Sequence, residues 1–64
     1  MKHTEADYIN AGYKYESAKT PDAARAVAQR IRKMLDEETI EDQQDARYLI
    51  ERGRREARSE AHSR

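Results

Sequence analysis

Pro21–Leu35, PDAARAVAQRIRKML, is the stretch that decides the fold. Ala24, Val27, Ala28, Ile31 and Leu35 recur in it at three- and four-residue spacing, which sets them on one face of a helix. Arg25, Arg30, Arg32 and Lys33 lie off that stripe, so the helix has an apolar side that must pack on something. Its start is marked three times over. Thr20 suits the N-cap, Pro21 suits the first helical position because its missing N–H has no helical partner there, and Asp22 complements the helix dipole. Helix two is expected over residues 21–37.

On the amino-terminal side, Thr4 is a capping residue, with Glu5 and Asp7 adding negative charge to a first turn, so helix one is expected over residues 5–18. On the carboxyl-terminal side, Thr39 and Asp42 are spaced as a capping box, and helix three is expected over residues 40–60. Ala46, Leu49, Ile50, Gly53, Ala57 and Ala61 continue one face of it. The large side chains stop at Ile50, so the last ten residues are expected to fray. Connections near Lys19 and Glu38 are too short to separate domains. Residues 1–64 therefore read as one all-α domain, a hairpin of helices one and two with a longer third helix across the face they share.

The chain has 64 residues, of which 41% are charged with a formal net charge of zero. No whole-molecule field steers it toward nucleic acid or an acidic membrane. The charges are segregated, however. Residues 21–35 sum to +3, residues 36–45 to −6 and residues 46–64 to +3, so an acidic elbow separates two basic arms. A chain this small buries only about 60% of the surface its unfolded form exposes. With no Phe, Trp or Cys its core is thin, and completion by a homodimer or another partner is expected. No apolar run approaches the ~20 residues of a membrane span, and Met1-Lys2 opens no signal-peptide pattern. A cytoplasmic location is the expectation.

Tyr8, Gly12 and Tyr15 in helix one, followed by Ala24 in helix two, give residues 5–37 a pattern that resembles a single tetratricopeptide-type hairpin. The resemblance implies that Gly12 lets helix two approach closely, that Tyr8 and Tyr15 fill the space on either side, and that Ala24 faces them. It also implies a protein-binding groove rather than an enzyme.

Helix one carries a second apolar face, Ile9 and Tyr13, about 100° around from Tyr8, Ala11, Gly12 and Tyr15. This pair is expected to anchor a dimer or partner interface unless helix three covers it. The elbow carboxylates Asp36, Glu37, Glu38, Glu41, Asp42 and Asp45 form a candidate docking patch for a basic surface, beside their simpler roles in capping and solubility. Arg47, Arg54, Arg55 and Arg58 are the candidate phosphate contacts of an alternative reading, in which paired third helices bind nucleic acid. Pairs at four-residue spacing, Glu51 with Arg55 and Arg52 with Glu56, compensate part of that charge. The acidic start of helix three also opposes its use as a recognition helix. His3 and His62 have no metal-ligand spacing, and no nucleophile stands beside a base. No cofactor is expected, and catalysis is not. The sequence reads as a small protein-interaction module, an adaptor, regulator or inhibitor of another protein.

Overall fold

The computed structural model describes residues 1–63 and contains three helices: α1 (Glu5–Ser17), α2 (Pro21–Asp36) and α3 (Ile40–His62). Arg64, counted above in the basic carboxyl-terminal arm, lies outside the described residues. Each helix begins where its threonine cap predicts. Thr4, Thr20 and Thr39 accept the N–H groups of Asp7, Ala23 and Asp42 at 3.1, 3.1 and 3.2 Å. The reciprocal capping box closes at α1, where the Asp7 carboxylate accepts the Thr4 N–H at 3.1 Å. α3 runs two residues past the anticipated end, and Ala57 is buried beyond the last large side chain.

The packing order differs from the expected hairpin. α1 packs chiefly on α3, and α2 touches both less closely. Tyr8 clusters with Ala46 and Leu49, Gly12 abuts Ile50, and Glu16 reaches Arg54 and Arg58. These pairs advance together along both helices, so α1 and α3 run parallel and α2 is the antiparallel return between them. Parallel neighbours need a crossover as long as themselves, and α2 supplies it.

Glycine makes the α1–α3 contact close. A Cβ placed on Gly12 would lie 1.9 Å from the Ile50 carbonyl oxygen, and one on Gly53 would lie 1.9 Å from that of Ile9. Gly12 therefore admits helix three, not helix two as the hairpin resemblance implies. Mid-helix glycine costs about 1 kcal/mol against alanine. Here it allows backbone to meet backbone, and Ala46 and Ala57 keep the same seam narrow.

Tyr8, fully buried, is the centre of the core, with Ala46 and Leu49 beside it and Ile9, Met34, Leu35 and Ile50 packed around them. All three helices contribute to this cluster. Even so, α2 has no buried residue although it is the most amphipathic helix. Ala24, Val27, Ala28, Ile31, Met34 and Leu35 are each only half-buried.

Candidate interaction surface

Ile9 and Tyr13 are engaged inside the chain. Ile9 packs against the core, its carbonyl faces Gly53, and the Tyr13 hydroxyl donates to the Glu60 carboxylate. The expected partner anchor is thus the lateral edge of the α1–α3 contact, because the close glycine crossing draws helix three over it.

The acidic elbow divides in two. Asp36, Glu37, Glu41 and Asp45 remain exposed, but Glu38 is buried. Its Oε1 accepts the Lys2 N–H at 2.7 Å and its Oε2 accepts the Tyr8 hydroxyl at 2.8 Å. Burial by itself would raise the Glu38 pKa. The hydrogen bonds from the Lys2 amide, the Tyr8 hydroxyl and the His3 amide outweigh that effect and hold it below the usual carboxylate range. Burial, reinforced by the hydrogen bond and charge of Glu38, pushes the Tyr8 phenol well above its ordinary value. Glu38 therefore fastens the segment before α1 to the α2–α3 turn and is withdrawn from any docking patch. Asp42 turns toward the Met1 amino group at 3.4 Å, and Glu37 lies 3.7 Å from His3 Nε2. The His3 ring meets Tyr8 edge-on with centroids 5.8 Å apart.

The four candidate phosphate contacts also divide. Arg54 and Arg58 converge on Glu16 Oε1 at 2.9 Å each, and Arg58 reaches Glu51 at 2.9 Å. The hydrogen bond to Arg58 holds the Glu51 pKa down, and Glu51 in turn raises that of Arg58. Arg54 also lies over the Tyr15 ring at 5.2 Å. Glu51 thus pairs with Arg54 and Arg58 in place of the expected Arg55, whereas Arg52 and Glu56 approach to 3.9 Å as their spacing predicts. Arg47 and Arg55 are exposed and, among the described residues, outside these ion pairs.

Sequence reasoning missed the surface that α2 leaves open. Along its α3 side runs a shallow groove of about 430 Å³ lined by Ala28, Ile31 and Leu35, with Arg32 and Arg47 at its rim. It continues past the shared residues Ala28 and Ile31 to Tyr15, Ile50 and Arg54. The signal was present in the stripe of α2: with glycines already joining α1 to α3, too few large side chains remain to bury that stripe. Ile40 and Tyr48, 76% and 69% exposed, are separate apolar points on the surface. Among the described residues no cluster of His, Cys, Asp or Glu is arranged to hold a metal, and no helix is long and apolar enough to cross a membrane.

No family model matches this chain, and neither a curated protein nor a solved structure matches it significantly.

Proposed function

We propose that this chain is a protein-interaction module rather than an enzyme, acting in the cytoplasm as an adaptor, regulator or inhibitor. The observation that carries the reading is the half-open apolar face of α2, on the helix with the strongest amphipathic pattern. A face of that kind gains from burial against another protein surface. The exposed carboxylates Glu41 and Asp45, outside that face, would meet a basic region elsewhere on the partner and raise the rate of the encounter more than its affinity.

The nucleic-acid alternative is weakened because Arg54 and Arg58 are already held by Glu16 and Glu51. Ionic strength separates the two classes. Binding to duplex DNA or RNA should fall steeply between about 50 and 200 mM salt. A protein partner held by α2 should survive that change and be lost from an Ile31→Asp variant that keeps its helical circular dichroism. Steep, saturable nucleic-acid binding by the wild-type chain, with no partner sensitive to Ile31, would overturn the proposal.

A further inference from the structure

Two grooves flank α2, and they differ in chemistry. The one shared with α1 has apolar lining from Ala11, Val27 and Met34, but charges of both signs surround it, Asp7 and Glu37 against Lys14, Arg30 and Lys33. Charges so interleaved favour solvation over a single occupant. The one shared with α3 is lined by apolar Ala28, Ile31, Leu35 and Ile50, by the amides of Gln29 and Gln43, and by Arg32, Arg47 and Arg54 against one carboxylate, Asp36. Arg54 is satisfied by Glu16 and Glu51. Arg32 and Arg47 are exposed and, among the described residues, outside the ion pairs.

An apolar trough beside a long helix fits another helix, whose own apolar face would offer side chains at three- and four-residue spacing. The rim selects the flanks of that helix. A second copy fits badly: an isologous contact through this groove would bring the same exposed Arg32 and Arg47 from both copies to one interface. Like charges so placed oppose the contact. Carboxylates in the same positions would meet Arg32 and Arg47 as charge-assisted hydrogen bonds.

We infer that the groove between α2 and α3 receives an amphipathic helix of a partner protein with acidic residues flanking its apolar face. This inference rests on the interaction-module reading and narrows it to one surface and one partner chemistry.

The test uses two synthetic helical peptides of roughly 18 residues, five turns, with identical leucine and isoleucine faces. One has glutamate flanks and the other lysine flanks. Titration into the full isotopically labelled chain should move the amide resonances of Tyr15, Ala28, Ile31 and Ile50. Fluorescence anisotropy should show the glutamate peptide binding at least about tenfold more tightly. An Arg32→Glu, Arg47→Glu double variant changes two exposed residues and should retain the fold while reversing the preference. Equal affinity for both peptides, no binding of either, or shifts confined to the α1–α2 groove would overturn the inference. So would self-association that moves the same resonances on concentration and vanishes on dilution, since the occupant would then be a second copy. Should the peptides fail while an Ile31-dependent protein partner is retained at high salt, the chemistry assigned to the partner is wrong and the interaction reading stands. Should the chain instead bind nucleic acid steeply with salt, the interaction reading itself fails.

Discussion

Gly12 and Gly53 are reciprocal: each lies against the backbone of the other's helix, Gly12 at Ile50 and Gly53 at Ile9 and Tyr13. The two absent side chains define one crossing from both sides, and neither helix can gain a Cβ there without moving the other's main chain.

Gly12→Ala and Gly53→Ala are therefore each expected to destabilise the fold although alanine is the better helix former. Overpacking costs about 1–3 kcal/mol, and here the obstacle is backbone that cannot rotate away. In a domain of this size each kcal/mol lowers the midpoint by about 4–8 °C, so thermal unfolding followed by circular dichroism checks it. A midpoint raised by either substitution would show that the helices stand further apart.

The two ends of the pH range should each reveal one half of the Tyr8–Glu38 pair. Glu38 titrates lower in the folded chain than in the unfolded one, where the ordinary value is 4.5. Its contribution is thus present above that value and lost as pH falls through the folded pKa. Glu38→Gln should lower the neutral-pH midpoint, with the difference from wild type shrinking in acid.

Tyr8 has the opposite sign. Its folded pKa is raised above the ordinary 10.0, so its contribution is present below pH 10 and declines as pH rises beyond it. Tyr8→Phe should flatten the alkaline limb of the stability profile, and a limb identical to wild type would count against the buried pair.

Hydrogen exchange should separate the helices. With no buried residue in α2 and the core held between α1 and α3, amides at the centre of α2 should exchange through smaller openings than those near Gly12 and Gly53. Equal protection across all three helices would mean that α2 is held as firmly as the seam.

The Glu16 cluster should matter little to the fold. Arg54 and Arg58 share one partly exposed carboxylate, and pairs of this kind contribute modestly and are screened by salt. Glu16→Gln should shift the unfolding midpoint slightly at low ionic strength and hardly at all in high salt.

The elements were legible in the sequence because their signals are local: Thr4, Thr20 and Thr39 start the helices, and Pro21 fixes the second. The faces of α3 were legible too, since Ala46, Leu49, Gly53 and Ala57 share one periodic stripe and all are buried. What was not legible was which helix meets which. Gly12 is equally suited to admit either neighbour, and only its match with Gly53 decides for α3. Glu38 was read with the other elbow acids because it stands in a run of them. Its position seven residues after Ile31 continues the apolar stripe of α2, and a buried Tyr8 hydroxyl needs an acceptor. The groove followed from that same misassigned pairing, since a helix two packed fully on helix one would have no open side.

The parallel pairing of α1 with α3 also orders events in time. Tyr8 meets Ala46 and Leu49, so the central contacts join residues about forty positions apart in a chain of 64. A growing chain that ends before α3 holds two capped helices and no seam between them. Formation of the seam must therefore wait until α3 has been synthesised, and α2 alone cannot bring it about.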